Sequence, residues 1–188
     1  MTSFHLSKAE KSTLASLACT SIEAALAGEN KPCPLEAPQA PPLLQRELGA
    51  FVTLTRKEHL RGCIGSIVGR EPLFENVWRM ARAAALEDPR FPPLQREEWA
   101  DTDVEITVLD QLSPCTDPQA IEIGRHGLVL TCGGRSGVFL PQVPVEQGWD
   151  RQAYLENLCR KAGLPSGTWQ KPDARLFWYE AEAFPAKH

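Results

Sequence analysis

A cysteine and an arginine stand two residues apart in residues 60–65, which read LRGCIG. Alternate side chains of an extended strand share a face, so Arg61 and Cys63 are expected on the same side. A neighbouring cation favours the thiolate, which is the nucleophilic form of cysteine. The spacing therefore predicts a reactive or substrate-contacting thiol. The alternative is that Cys63 only fills space in the core and that Arg61 lies in water at a strand edge.

Gly62 and Gly65 flank this thiol and are candidate binding positions. Glycine weakens a strand, and a bulge or the close approach of another group to the backbone usually accounts for it. Residues 62–65 also form a G-x-x-G sequence, the loop with which KH domains hold nucleic-acid backbones. Here that sequence follows a strand-like run and its central pair is Cys-Ile, which is not typical of such a loop.

His126 is a candidate general base, and it lies in the glycine-framed residues 124–127 (GRHG). Because imidazole titrates near neutral pH, His126 could deprotonate Cys63 or a substrate hydroxyl. The alternative is a structural histidine whose ring is hydrogen-bonded within the protein.

Four further polar residues are candidate binding groups. In the proline-rich residues 88–94 (DPRFPPL), Arg90 either is held over a cleft as an anion clamp or pairs with Asp88 at the surface. Glu105, in a predicted strand, is either a carboxylate directed into a site or a charge in solvent. Gln142 offers a neutral hydrogen-bonding group at a predicted strand end.

The composition and the spacing of residue types argue against several classes of protein. Twenty Lys and Arg against 24 Asp and Glu give a net charge of −4, which disfavours nucleic-acid binding because such binding depends on clustered cations. No apolar run approaches the ~18 residues of a membrane span, and the N-terminus lacks a signal-peptide pattern. The six cysteines include no C-x-x-C pair, so no metal site or disulfide scaffold is predicted. We expect a cytoplasmic protein with free thiols and no cofactor.

The elements that must position these residues are helices and short strands. Ser7 and Glu10 predict a capping box, and apolar residues at helical spacing predict a helix over residues 6–27. Five prolines make residues 31–42 an extended surface segment. The other predicted elements are a hairpin over residues 50–68, a helix from Pro72 to Asp88, a strand over 104–109, extended runs over 121–123 and 128–130, a hairpin turn at 133–134, a helix from Asp150 to Gly163 and a strand over 175–180. The short reversals favour an α+β fold with antiparallel sheet.

These motifs, in this order, resemble the AMMECR1-domain family. The resemblance extends from about residue 10 to residue 184, and the motif around Cys63 is the family's hallmark. It implies a single α+β domain over residues 1–188, with helices packed on antiparallel sheets. It further implies a larger lobe made from both chain ends, a smaller lobe inserted between them and a cleft near the motif. Relatives vary at the positions of Glu105 and Gln142.

The resemblance brings no established reaction. It is strongest to the prokaryotic member often found alongside a Memo-like protein and a radical-SAM protein. One hypothesis is an enzyme of that modification system, in which Cys63, Arg61 and His126 act on a small molecule or a protein group. The second is a non-catalytic regulatory or interaction module of the same system. The third is nucleic-acid binding, which the charge balance disfavours.

Overall fold

The computed structural model describes residues 4–187, which fold into two compact units. The larger unit comprises residues 4–109 and 182–187, and the smaller unit comprises residues 110–181. Within the described residues, helices and antiparallel strand pairs occur in both units. The predicted α+β fold with antiparallel sheet is therefore confirmed. The single domain and the two lobes that flank a cleft stay predictions.

Helix α1 (Lys8–Leu26) opens the larger unit. Its first turn is a capping box, in which the Ser7 hydroxyl accepts the backbone N–H of Glu10 and the Glu10 carboxylate accepts that of Ser7. Each side chain thereby satisfies an N–H group that the first helical turn leaves unpaired. The helix predicted over residues 6–27 is confirmed, with its start two residues later.

Three strands of the larger unit form an antiparallel sheet in the order β2-β1-β3. They are β1 (Gly49–Arg56), β2 (His59–Ser66) and β3 (Thr102–Leu109). Lys57 and Glu58 join β1 to β2 with φ angles of 52° and 63°, as a two-residue hairpin turn of this hand requires. The predicted hairpin and the third strand are confirmed, and β2 is the outermost strand.

Helix α2 (Leu73–Leu86) packs with α1 in the main apolar core, on one face of this sheet. Core residues from the two helices and the sheet include Leu14, Ile22, Leu54, Phe74, Val77 and Ile106. Because alternate residues of a strand face opposite sides, Thr53 and Glu105 lie on the other face. The sheet thus has one buried face and one face that carries polar side chains.

Residues 31–42 are not extended throughout, contrary to the prediction from their prolines. A 3-10 turn covers Ala37–Gln39, and a second one begins at Pro42. Pro38 is the second residue of the first turn and Pro42 is the first residue of the second, and proline suits such early positions because its fixed φ is helical and no N–H is needed there. Ala40 is buried in the main core, so this segment is also anchored to the protein rather than lying wholly at the surface.

The smaller unit has its own antiparallel sheet, in which β5 lies between β6 and β7 and β4 pairs with the other edge of β7. The strands are β4 (Ser113–Pro114), β5 (His126–Cys132), β6 (Arg135–Phe139) and β7 (Arg175–Lys187). The turn predicted at residues 133–134 is confirmed. Strand β7 continues seven residues beyond its predicted end and extends into the larger unit.

The extended run predicted over residues 121–123 is wrong. A 3-10 turn over Pro118–Ala120 precedes these residues, and Gly124 follows them with a φ of 87°. Because that φ reverses the chain, a strand cannot continue through this position. His126 consequently begins β5 and does not lie between two strands.

Gln142 was expected at a strand end but begins the short helix α3 (Gln142–Glu146). Pro141 before it has a φ of −58° and a ψ of −32°, which already sets the chain on a helical path. The Gln142 side chain is exposed.

Helix α4 (Arg151–Lys161) covers the sheet of the smaller unit, as predicted from its Asp150 cap. Its buried Tyr154 donates a hydrogen bond to the carbonyl of His126 at 3.2 Å. Burial raises the pKa of Tyr154, so this residue keeps its proton and remains a donor. Among the helices of residues 4–187, none is both long and apolar enough to cross a bilayer.

Candidate functional site

Cys63 lies in the middle of β2, opposite Thr53 of β1. The Thr53 hydroxyl donates a hydrogen bond to Sγ of Cys63 at 3.4 Å, and the thiol is half-buried. Glu105 of β3 lies opposite Thr53 on its other side and is exposed. Directly opposite residues of neighbouring antiparallel strands share a face. Cys63, Thr53 and Glu105 therefore form a row across the sheet, which we call the thiol row.

Two side chains from the segment after α2 hold the backbone of Cys63. The Asp88 carboxylate accepts the Cys63 N–H at 2.8 Å, and Nη2 of Arg90 donates to the Cys63 carbonyl at 3.3 Å. Arg90 also donates to Asp88 through Nε at 2.9 Å and through Nη2 at 2.6 Å. Because β2 is the outermost strand, no strand pairs with its free edge. Asp88 and Arg90 there bind the N–H and the carbonyl of Cys63, the groups to which a neighbouring strand would bond.

The Asp88 side chain is only 2% exposed, whereas that of Arg90 is 53% exposed. Hydrogen bonds from the Arg90 guanidinium hold the pKa of Asp88 far below its usual range, against the opposing effect of burial. Two roles were predicted for Arg90, an anion clamp over a cleft and an ion pair with Asp88. The structure shows the ion pair. Asp88 is thus a buried anion that fastens the end of α2 to β2.

Arg61 lies at an irregular point of β2. Leu54 pairs with Gly62 and Thr55 pairs with Leu60, so Arg61 has no opposite residue and forms a β-bulge. A bulge interrupts the alternation of side chains along a strand. The expectation that Arg61 shares the face of Cys63 assumed a regular strand, and this strand is not regular.

The Arg61 guanidinium binds Glu98 with both carboxylate oxygens, at 3.0 Å through Nε and at 2.8 Å through Nη2. It also donates to the carbonyls of Pro92 and Pro93. Hydrogen bonds from Arg61 lower the pKa of Glu98 to about 2. Glu98 also accepts from Nη1 of Arg56 at 3.1 Å, so Arg61 is held in an ion-pair cluster with Glu98 and Arg56. The guanidinium held at Cys63 is that of Arg90, which is itself paired with Asp88.

Glu98 was not predicted as a residue of this site. Its signal in the sequence is the spacing Gln95-x-x-Glu98, since a Gln–Glu pair three residues apart can form a capping box. In the structure Glu98 accepts the backbone N–H of Gln95 at 2.9 Å while it binds Arg61. The capping pattern predicts the hydrogen bond between Glu98 and Gln95. It does not predict the ion pair between Glu98 and Arg61.

The glycines beside Cys63 allow other parts of the larger unit to approach. A Cβ atom on Gly62 would stand 2.2 Å from the carbonyl oxygen of Ala84 in α2, and one on Gly65 would stand 2.3 Å from the Phe51 ring. Both distances are well below van der Waals contact. Both predicted causes of a glycine in a strand, a bulge and a close approach, are present, and the approaching groups belong to this chain.

His126 is buried in the smaller unit, with 9% of its surface exposed. Its Nδ1 atom accepts the backbone N–H of Glu122 at 3.0 Å, and its ring packs on Trp178 with 4.7 Å between ring centres. Burial, and then the charge of Arg125, lower the pKa of His126. A neutral ring that accepts at Nδ1 carries its proton on Nε2. His126 is therefore held as a hydrogen-bond donor, and it would lose the bond from Glu122 on accepting a proton.

A cavity of about 420 Å³ opens beside His126, within the smaller unit. Arg125 lies in the wall of the cavity and binds two carboxylates there. Its guanidinium donates to Glu122 through Nη1 and to Glu180 through Nε, both at 2.9 Å. The other lining residues are Asp110, Gln111, Ser113, Ala120, Trp178 and Tyr179. Of this set the sequence singled out only His126. Arg125 stands beside it in the GRHG motif without a predicted role, and most of the other residues come from distant segments.

The predicted site residues fall into two groups. The larger unit contains Arg61, Gly62, Cys63, Gly65, Asp88, Arg90 and Glu105, and the smaller unit contains His126 and Gln142. The pairing of the Cys63 thiol with the His126 ring therefore stays a prediction. Within residues 4–187, no group of three or more His, Cys, Asp or Glu side chains is arranged to hold a metal ion.

Comparison with known proteins gives consistent matches over most of the chain. The family model described as AMMECR1 matches residues 15–184. A protein of Methanothermobacter thermautotrophicus is 39% identical over 186 residues, which cover 95% of each chain. The protein NEQ441 of Nanoarchaeum equitans is 39% identical over 178 residues, covering 91% of this chain and 97% of its own. The crystal structure of the protein PH0010 from Pyrococcus horikoshii has the same fold, with a TM-score of 0.82, 37% identity and coverage of 97% of this chain and 94% of that one.

Proposed function

Because the chain belongs to the AMMECR1 family, we propose that it is a non-catalytic binding component of a modification system that includes Memo-like and radical-SAM proteins. Its binding surface is the thiol row together with the exposed Arg90 guanidinium. The group bound there belongs to a partner protein of the system or to the small molecule on which the system acts.

The observation that carries this proposal is the ion pair between Arg61 and Glu98. An arginine activates a thiol when its charge is available to stabilise the thiolate. The Arg61 side chain is only 13% exposed, and Glu98 binds it through both oxygens. Its role is therefore to fasten β2 to the segment after α2, and most of the LRGCIG motif serves the stability of the fold.

The state of the His126 ring supports the same proposal. A general base needs a free lone pair directed at the proton that it removes. The lone pair of Nδ1 already accepts the N–H of Glu122, and Nε2 carries the proton. An imidazole in this state donates hydrogen bonds to a ligand and is poorly suited to deprotonate a thiol.

Two substitutions in the thiol row test the proposal. Cys63→Ser should bind the purified Memo-like and radical-SAM proteins of the same organism within about twofold of the wild type, since serine keeps a group that can bond to Thr53. Glu105→Arg should weaken that binding about tenfold or more, because it reverses an exposed charge in the row. Biolayer interferometry with each immobilised partner measures both affinities.

The matched control is Glu47→Arg, which makes the same charge reversal at an exposed position outside the thiol row and should leave binding unchanged. A folded Cys63→Ser variant that no longer binds would contradict a non-catalytic role for the thiol. A wild-type protein that binds neither partner would contradict the assignment to this system.

A reactive thiol at Cys63 is the second candidate function. It is favoured by the half-buried position of the sulfur and by the hydrogen bond from the Thr53 hydroxyl. In this case Cys63 acts as a nucleophile toward a small molecule or a protein group.

Alkylation rates separate the two candidates. With iodoacetamide at neutral pH, the binding function predicts that Cys63 reacts within about threefold of Cys115, a half-buried thiol whose pKa burial raises. Buried Cys159 is the slow reference. Peptide mass spectrometry gives each rate, and a Cys63 rate more than about thirtyfold above that of Cys115 would favour the nucleophile.

A further inference from the structure

Strand β6 of the smaller unit has a free edge, because β5 is the one described strand that pairs with it. Proteins usually cover such an edge, since its backbone N–H and C=O groups can recruit a further strand. The free edge of β2 is covered at Cys63 by Asp88 and Arg90, and the edge strand β4 is only two residues long and contains Pro114. Strand β6 (Arg135–Phe139) is longer than β4 and contains no proline.

The backbone groups at this free edge are those of Ser136 and Val138. Alternate residues of an antiparallel strand bond to opposite sides. The carbonyl of Leu176 in β7 lies opposite Leu130 but accepts an N–H on the side of β7 away from β5. Leu130 therefore bonds to its other partner, Gly137 of β6. The two neighbours of Gly137 consequently direct their N–H and C=O groups outward, and none of these four groups hydrogen-bonds to another described residue.

The side chains beside this edge carry positive charge. Gly137 faces α4, since a Cβ atom there would stand 2.7 Å from the backbone N of Ala162, and Arg135 and Phe139 share that face. The Arg135 guanidinium donates to a backbone carbonyl just after α4, and Nζ of Lys161 lies 5.6 Å from the centre of the Phe139 ring. Both cations are exposed, and neither forms an ion pair with a carboxylate of the described residues. This edge therefore attracts an acidic ligand.

We infer that the free edge of β6 binds an extended acidic segment of a partner polypeptide, which adds a strand to the sheet. The backbone of the segment pairs with the outward groups of Ser136 and Val138. Two acidic side chains of the segment, four residues apart, lie opposite Arg135 and Phe139, where they meet the guanidinium and the ammonium group of Lys161. Main-chain pairing supplies the affinity, and the two charges select the segment.

The charges favour an acidic segment over a second copy of this chain. Two β6 strands that pair antiparallel through Ser136 and Val138 place Arg135 of one copy opposite Phe139 of the other. The guanidinium would there meet the ammonium group of Lys161, which lies over that ring. Like charges on directly opposite residues are destabilising, so self-association through this edge is disfavoured.

A titration with the peptide acetyl-Ser-Glu-Thr-Val-Thr-Glu-Ser-amide tests this inference. In a 15N-labelled protein, the amide signals of Ser136 and Val138 should shift and saturate with a dissociation constant of about 1 mM or lower. Exchange of these two amides with deuterium should slow when the peptide binds. The peptide in which both glutamates are lysine should bind about tenfold more weakly. A peptide with N-methyl groups on both threonines keeps the charges but lacks the backbone donors, and it should also bind about tenfold more weakly.

Variants of the protein complete the test. Lys161→Glu reverses one of the two charges and should weaken the binding of the glutamate peptide about tenfold. Lys8→Glu makes the same change at an exposed position of the larger unit and should leave binding unchanged. Val138→Pro removes one outward N–H and should weaken binding, whereas Val138→Ala keeps that donor and should not. Thermal unfolding verifies that each variant is folded, and the N-methylated peptide replaces Val138→Pro if that variant is not.

Four results would overturn the inference. Equal binding of the lysine and glutamate peptides would remove the role of charge, and equal binding of the N-methylated peptide would exclude strand addition. The absence of a saturable shift would exclude binding of this peptide class. Slower exchange of the two amides at higher protein concentration, without peptide, would make a second copy the occupant. None of these results affects the thiol row, which lies in the larger unit and which the partner-binding experiment tests separately.

Discussion

Replacement of Asp88 by alanine is expected to lower the free energy of unfolding by about 3 kcal/mol. The buried carboxylate accepts one hydrogen bond from the backbone of Cys63 and three from Arg90. Its removal leaves the N–H of Cys63 without its acceptor and separates β2 from the end of α2. Urea unfolding followed by circular dichroism measures the loss.

The control for Asp88→Ala is an ion pair of the same length at the surface. Arg79 and Glu71 are 2.6 Å apart, as are Arg90 and Asp88, but their side chains are 57% and 26% exposed. Arg79→Ala should therefore lower the free energy of unfolding by less than about 1 kcal/mol. Equal losses in the two variants would contradict the role assigned to the buried carboxylate.

The effect of Asp88→Ala should also depend on pH. Hydrogen bonds from Arg90 place the folded-state pKa of Asp88 below that of the unfolded chain, so the stabilisation is fully present above about pH 4. It is lost as the pH falls through the folded-state value. The difference in unfolding free energy between the wild type and the variant should thus narrow below about pH 4, and a constant difference would argue against a charge effect.

Gly62→Ala is expected to destabilise the protein by about 3 kcal/mol or more. The added methyl group would stand 2.2 Å from the carbonyl oxygen of Ala84. That atom belongs to the backbone of α2 and cannot turn aside as a flexible side chain would. Either α2 moves away from the sheet or β2 loses its pairing with β1, and both expose the apolar core. The midpoint of thermal or urea unfolding measures the change.

Gly133→Ala is the matched control for Gly62→Ala. Gly133 has a φ of 56° and no atom within 4 Å of an added Cβ, so alanine there meets only the strain of a left-handed backbone. This strain should cost about 1 kcal/mol. If Gly62→Ala were no more harmful than Gly133→Ala, the helix would not be the reason for a glycine in the LRGCIG motif.

The sequence predicts those parts of the fold whose causes are local. The capping box at Ser7 and Glu10 marks the start of α1, and the Asp150 cap marks that of α4. The hairpin turn at residues 133–134 follows from two glycines with positive φ between strand-like runs. Each of these signals depends on residues only a few positions apart, so the pattern contains all the information that is needed.

The partners of the site residues are not predictable in this way. Arg61 binds Glu98, which is 37 positions away, and Cys63 is held by Asp88, which is 25 positions away. A single-residue bulge at Arg61 interrupts the alternation of side chains along β2, and no local feature of LRGCIG marks its position. The motif correctly indicates an unusual strand, but only the three-dimensional contacts assign its arginine to Glu98 and the backbone of its cysteine to Asp88.

The same limit applies to His126. The sequence shows a histidine between glycines, and its ordinary pKa is compatible with a base or a donor. Which nitrogen carries the proton depends on the backbone N–H of Glu122, and the turn at Gly124 brings that group to the ring. The sequence predicts an extended run in place of this turn, so it does not indicate which nitrogen of the ring carries the proton.

The Asp88–Arg90 pair also affects how the protein behaves in concentrated solution. An outermost strand normally presents free backbone groups that can recruit a strand from another molecule and start aggregation. At Cys63 both backbone groups already bind side chains of the same chain. Intermolecular strand addition is thereby blocked at the midpoint of β2, in a stretch where residues 60–65 contain a single charged side chain.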